Sequence, residues 1–166
     1  MTFELIAQKI QSWPEIRETV AAWRTNGQRI VFTNGCFDIL HYGHIRYLAQ
    51  ARDLGDRLVI GLNSGDSVRR LKGPNRPIND EPTRQLLLAA LGLVDAVVVF
   101  DQDTPYELIR LVEPDVLVKG GDWTPEAIIG SDIVLARGGE VKSLPYVEGY
   151  STTRIEQKIK KEDPSN

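Results

Sequence analysis

Only one cysteine, Cys36, and only two histidines, His41 and His44, occur in the 166 residues. A lone cysteine excludes an internal disulfide framework, and the opening "MTFELIAQKIQSW" has neither the charged start nor the apolar core of a secretory signal. Both observations point to a reducing, cytoplasmic setting. No apolar run approaches the ~20 residues that a bilayer crossing needs, so membrane insertion is not expected. Long basic runs and basic–aromatic stripes are absent as well, and the formal charge is -3. A chain of that kind cannot neutralise many phosphates at once, which excludes a general nucleic-acid binder.

What remains is a chain 42% hydrophobic, long enough for one full core and too short for two ordinary ones. A single domain over 1–166 is therefore expected. It would have an N-terminal helical segment (1–27), a core (28–162) and a disordered tail (163–166). Short β-branched runs alternate with helical stretches: "RIVFTN" (29–34), "RLVIGLN" (57–63), "DAVVVF" (95–100), "DVLVKG" (115–120) and "EVKSLP" (140–145). Several of these are continuously apolar, as strands covered on both faces are. The pattern predicts an α/β fold, a Rossmann-like doubly wound parallel sheet of about five strands with helices on both faces.

Between the strands, "HIRYLAQARDLG" predicts an amphipathic helix stopped by Gly55, and "TRQLLLAALGL" (83–93) a second. "TPYELIRLVEP" (104–114) predicts a third, with Thr104 as N-cap and Pro105 in the first position. "SDIVLARGG" and "STTRIEQKIKK" supply two more. Near the N-terminus, Trp13-Pro14 is read as a break before a helix that ends near Gly27. Trp13 and Trp23 could serve either an interface or the core. The loop "KGPNRPINDEP" (72–82) interrupts the rhythm, and its three prolines favour a functional loop over a floppy one.

Both histidines fall in "TNGCFDILHYGHIRYL" (33–48), where the first strand runs into the first helix. In open α/β sheets this edge binds ligands, because helix N-termini present unpaired N–H groups and partial positive charge. Gly35 permits close approach of backbone to a phosphate, and Gly43 leaves the first helical turn bare. Three residues apart on a helix, His41 and His44 share a face. A zinc site could be assembled from Cys36, Asp38, His41 and His44, yet the spacing is not that of the usual zinc motifs, so no bound metal is expected. Phosphate recognition fits best, although neither the G-x-x-x-x-G-K-[ST] loop nor the G-x-G-x-x-G fingerprint is present.

"GCFDILHYGH" resembles the signature of the HxGH nucleotidyltransferases, and "GYSTTRI" (149–155) resembles their second, hydroxyl-rich motif. The phrases "VFTNGCFDILHYGH", "SVRRLKGPNRPIN", "DTPYELIRLVEPDVLVKGGDW" and "GGEVKSLPYVEGYSTT" are most similar to the sugar-nucleotide branch that adenylates heptose 1-phosphate. The likeness runs from about residue 14 to residue 160.

The resemblance implies ATP and heptose 1-phosphate as substrates, with Mg²⁺ carried on the triphosphate. His41, His44 and Lys72 would be catalytic. Thr33, Asn34, Gly35, Cys36, Phe37, Gly43, Lys119, Gly121, Asp122, Ser151, Thr152 and Thr153 would hold the nucleotide, and Asp38, Asn63 and Arg76 the sugar phosphate. Trp123 is either a base-stacking lid or a structural residue, and Arg84 either a further cation of the site or a helix-surface ion pair. A separate heptose kinase and a phosphatase would act upstream. Related enzymes often self-associate, which makes a homo-oligomer a candidate state. One departure matters: Tyr146 stands where related glycerol-phosphate cytidylyltransferases carry an arginine, so that arginine's phosphate contact is not carried over. The competing readings are a cytidylyltransferase for another small phosphorylated alcohol, a nucleotide-binding regulatory module and a structural partner subunit.

Overall fold

The computed structural model describes residues 2–161; the expected tail at 163–166 lies outside them. Five parallel strands, β1 (Ile30–Gly35), β2 (Arg57–Asn63), β3 (Ala96–Phe100), β4 (Val116–Gly120) and β5 (Glu140–Leu144), form one sheet in the order β3-β2-β1-β4-β5. The chain winds outward from β1 to β3, then restarts on the other side of β1 with β4. The fold is the Rossmann-like doubly wound α/β arrangement, and its switch point lies between β1 and β4.

Side-chain alternation along the strands divides the core in two. Ile30, Phe32, Val59, Val98 and Leu117 face α2 (Trp13–Thr25), α6 (Tyr106–Val112) and α7 (Ser131–Ala136), meeting Ile16, Val20, Ile109 and Val134. Val31, Leu58, Ile60, Val97 and Val118 face the other way, onto Leu48 and Ala51 of α3 (Tyr42–Arg52) and Leu88 and Ala89 of α5 (Glu81–Ala90). A short 3-10 turn at Pro125–Ala127 follows β4, and α4 (Gly65–Lys72) follows β2.

Several expected boundaries move. Trp13 and Pro14 belong to the helix rather than to the break before it: Pro14 sits in the first turn of α2, where its missing N–H costs nothing. Ser12 caps that helix, and Ser12 and Glu15 satisfy each other's backbone N–H in a capping box. An additional helix, α1 (Phe3–Ala7), precedes it. The next residues lie along β3, with the Val97 N–H donating to Lys9 O and the Gln11 N–H to Val97 O, so this segment covers the sheet edge. Trp13 donates its indole N–H to Val99 O at 2.9 Å, and the Arg57 guanidinium lies over Trp23, 5.3 Å from the ring centroid; both tryptophans pack within the chain.

The helix expected over 83–93 begins at Glu81 because the Asp80 carboxylate accepts the Thr83 N–H. Pro105, not Thr104, is the N-cap of α6, and no side chain caps it. Asp53, not Gly55, is the C-cap of α3. Gly55 instead lies against β1, where a Cβ would sit 2.8 Å from Arg29 O.

Candidate active site

The C-terminal ends of β1, β2 and β4 open into a cleft of about 640 Å³. Asn34, Gly35, Cys36, Phe37, Asp38, His41, Gly43 and His44 line it from β1 and the start of α3; Asn63 from β2; Lys72 from α4; Lys119 from β4; and Ser151, Thr152 and Thr153 from the entry to α8 (Thr152–Lys161). Thus the two motifs, more than a hundred residues apart in sequence, face one cavity.

The turn after β1 is shaped by a close approach. Phe37 adopts φ 43, a left-handed conformation uncommon for an aromatic residue, and this folds its ring back over Gly35. A Cβ on Gly35 would lie 2.9 Å from that ring. The other side of Phe37 faces His44, with ring centroids 5.3 Å apart. His44 in turn stacks on His41, with centroids 3.8 Å apart and planes inclined by 22°. Asp38, only 3% exposed, accepts the Ile78 and Asn79 amides and pairs with Arg76 at 2.9 Å.

Burial, assisted by the nearby His41 and the Lys72 cation, pushes His44 down to about 4, and burial lowers His41 as well. Both rings are therefore largely neutral at neutral pH. Their Nδ1 atoms are buried and find no hydrogen-bond partner among the described residues. Burial also pushes the Lys119 ammonium down and the Cys36 thiol up. Against the cost of its own burial, the Ile78 and Asn79 amides and Arg76 hold the Asp38 carboxyl below the ordinary range. A neighbouring phosphate would reverse the balance for the histidines, since its negative charge favours imidazolium.

Some expected residues lie elsewhere. Lys72 is not in the loop; it ends α4, although it does reach the cleft. Arg76 does not line the cavity. Its guanidinium is divided between Asp38 and Glu156, at 2.9 and 2.8 Å, and so ties the 73–80 loop to the β1 turn and to α8. Thr33 is fully buried behind the wall, where its hydroxyl meets that of Tyr47 at 2.5 Å. Gly121 and Asp122 fall beyond the lining residues. Trp123 donates its indole N–H to Gly120 O at 3.1 Å. Arg84 makes no surface ion pair: it is 0% exposed and donates to the carbonyls of Cys36 and Asn63.

The sequence did not mark Asp103, Thr104 and Pro105, which follow β3, or Tyr47, Tyr146 and Tyr150 as lining residues, yet all six line the cleft. The first three were findable by the rule that located the histidines, because they too sit at the carboxyl end of a strand. Tyr146, 75% exposed, lies over Gly120, where a Cβ would be 2.9 Å from its ring. Thr152 donates to Ile39 O at 3.4 Å, joining the hydroxyl turn to the β1 turn. Among the described residues no group of three or more His, Cys, Asp or Glu side chains converges on a metal position, and no helix is long and apolar enough to cross a membrane.

A sheet of this topology with its histidines and hydroxyl turn on the switch-point edge defines a class of nucleotide-handling proteins, and comparison with known proteins agrees. The family model described as cytidylyltransferase-like matches residues 32–158, so the chain belongs to the cytidylyltransferase-like family and is a nucleotidyltransferase. It is 54% identical over 151 residues to the bifunctional protein HldE of Trichlorobacter lovleyi, covering 91% of this chain and 31% of that one. Against HldE of Hyphomonas neptunium it is 61% identical over 136 residues, 82% of this chain and 28% of the relative. The chain thus spans under a third of the length of these curated relatives.

Among solved structures, the lipopolysaccharide core biosynthesis protein from Thermoplasma volcanium is 34% identical with a TM-score of 0.60, over 75% of this chain and 100% of that one. Pantoate-beta-alanine ligase from Francisella tularensis, 14% identical with a TM-score of 0.59, covers 91% and 76% and shares the fold alone.

Proposed function

We propose that the protein transfers AMP from ATP to D-glycero-β-D-manno-heptose 1-phosphate, giving ADP-heptose and pyrophosphate for lipopolysaccharide core or another surface glycan. The observation that carries this reading is the convergence of His41, His44, Lys72, Lys119 and the Ser151–Thr153 turn on one cleft at the switch point. Similarity to HldE and to a lipopolysaccharide core biosynthesis protein supports the sugar-phosphate acceptor. Residues 28–162 form the catalytic core in this reading, and the 1–27 segment buttresses its sheet edge.

A sugar 1-phosphate is largely a dianion at neutral pH, its second pKa being about 6, so its oxygen attacks the α-phosphorus without a general base. The bond from that phosphorus to the bridging oxygen breaks, and pyrophosphate leaves with both electrons. The protein's task is alignment and charge. His44 donates to the α-phosphate and His41 beside it, Lys72 and Lys119 face the polyphosphate, and the Ser151–Thr153 hydroxyls hold its tail. Asp103, which also accepts from Arg70 at 3.2 Å, and Thr104 offer a carboxylate and a hydroxyl to sugar hydroxyls from the segment after β3. Mg²⁺ enters as part of the MgATP substrate. The cleft gives that ion no carboxylate cluster among the described residues, and Asp38 is already engaged, so no side chain is assigned to it.

Arg76 and Asp38 hold the loop in this scheme, and the sugar phosphate is left to Asn63 and the cations of the cleft. A kinase and a phosphatase activity supply the acceptor in this reading, and the reaction takes place in the cytoplasm. The experiment is pyrophosphate release with Mg²⁺ and the β-heptose 1-phosphate, run with ATP, CTP, GTP and UTP. Release selective for ATP is expected. Release selective for CTP transfers the mechanism to a cytidylyltransferase, and no release with any of the four overturns the proposed reaction.

A further inference from the structure

The least economical side chain in the fold is Arg84. It is among the largest fully buried side chains, at 0% exposure, yet it projects from α5 toward the ends of β1 and β2. A single nitrogen, Nη1, donates to both Cys36 O at 2.9 Å and Asn63 O at 2.8 Å. The β1–β2 ladder runs out at Gly35 and Leu62, so these are the next carbonyls beyond it. Nε and Nη2 have no acceptor among the described residues.

Tying two carbonyls together requires a neutral donor only, and burying a full charge with three idle N–H bonds is costly unless something repays it. The nearby carboxylates Glu81, Asp38 and Asp80 favour the charge from a distance, but none hydrogen-bonds it. Asp38 is held by Arg76 and two amides, Asp80 accepts the Thr83 N–H, and Glu81 accepts the Gly65 N–H. What the charge does face, one residue's thickness away, is the cleft, because Cys36 and Asn63 both line it.

We propose that Arg84 is a positioning residue for the anionic part of the substrate: a fixed cation behind the β1 turn that biases the cleft toward phosphate without touching it. The inference rests on the cleft being the site of a nucleoside triphosphate. Being always protonated, a guanidinium supplies this bias at any working pH, and, shielded from solvent, it is weakly screened by salt. It joins Lys72 and Lys119 as positive charge at the cleft, whose two carboxylates, Asp38 and Asp103, are paired with Arg76 and Arg70.

The test separates charge from scaffold. Binding of inorganic pyrophosphate, of ATP and of adenosine is measured by calorimetry for the wild type, R84K and R84Q, alongside the melting temperature of each. R84Q keeps a donor and loses the charge; its pyrophosphate Kd is expected to weaken about tenfold, with adenosine unchanged. R84K keeps the charge and loses the fork; its pyrophosphate Kd is expected to stay within about threefold of wild type although its melting temperature falls. Equal pyrophosphate affinity in R84Q and wild type overturns the proposal, as does an equal loss in both variants. Should R84Q not fold, R84K decides: affinity kept while stability drops supports the charge, and affinity falling in step with stability overturns it. A wild type that binds neither ATP nor pyrophosphate overturns the reading of the cleft itself, and this inference with it.

Discussion

Tyr150 packs directly over Gly43: a Cβ on that glycine would lie 3.2 Å from the Tyr150 Cβ and 3.1 Å from two atoms of the His41 ring. The absent side chain therefore lets the hydroxyl turn and the histidine helix touch. Tyr150 continues the contact to Tyr42, with ring centroids 4.9 Å apart.

Gly43→Ala follows from that contact. Accommodating the methyl requires His41 or Tyr150 to move, which costs about 1–3 kcal/mol where the packing resists. Because the atoms displaced belong to the proposed phosphate contacts, kcat/KM is expected to fall by about tenfold or more, the loss that a small misplacement of reacting groups brings. Steady-state kinetics beside thermal melts checks this, and unchanged kinetics would sink the assignment.

His44→Ala removes a donor aimed at the reacting phosphate. Turnover is expected to drop by about 10²–10³, the scale seen when one such donor is lost, while ATP affinity changes only a few-fold. Single-turnover rates and equilibrium binding measured on the same preparation distinguish the two effects. A parallel loss in both would make His44 a simple binding residue.

The pH dependence has a definite sign. His44 is lowered to about 4 in the folded empty protein and returns to about 6.5 on unfolding, so between those values the unfolded chain binds more protons. Stability should fall as pH drops through that window, and His44→Ala should flatten the slope. Bound triphosphate opposes the effect by favouring imidazolium, so ATP binding near pH 6 should take up more protons in wild type than in His44→Ala. Calorimetry in buffers of differing ionisation enthalpy reads the difference; equal uptake would contradict the proposed contact.

Asp38→Asn breaks the clasp among the β1 turn, the 73–80 loop and α8. It weakens two backbone contacts and removes the charge opposite a largely buried Arg76, for an expected loss of about 1–3 kcal/mol. The wild-type carboxyl is held below its unfolded value near 3.9, so its contribution is complete above that pH and is lost as pH falls further, through the lowered folded value. The stability difference between the two proteins, read from urea melts, should therefore be larger at pH 7 than at pH 3.

The strands β1 to β4 were legible because strands buried on both faces leave little room for polar residues, whereas β5 is partly exposed; each of the five expected runs matches its strand to within a residue. His41, His44 and Ser151 were legible through motif and position together. Arg76 and Arg84 were not. Sequence shows a cation on a loop or helix, but whether it meets a ligand, a carboxylate or two carbonyls depends on residues up to eighty positions away. The break read at Trp13-Pro14 falls slightly earlier, between Ala7 and Trp13, because Ser12 caps α2 and a proline is tolerated in the first turn that follows a cap.

The β3-β2-β1-β4-β5 order carries a temporal consequence. β1 delivers the histidines before β4 delivers Lys119, and the Ser151–Thr153 turn comes only with α8. A nascent chain halted after β3 would own the signature motif and lack half the walls of its cleft. In the proposed reading the cleft is complete only once α8 is in place, so a triphosphate resin should retain the whole chain and not one cut short after β3.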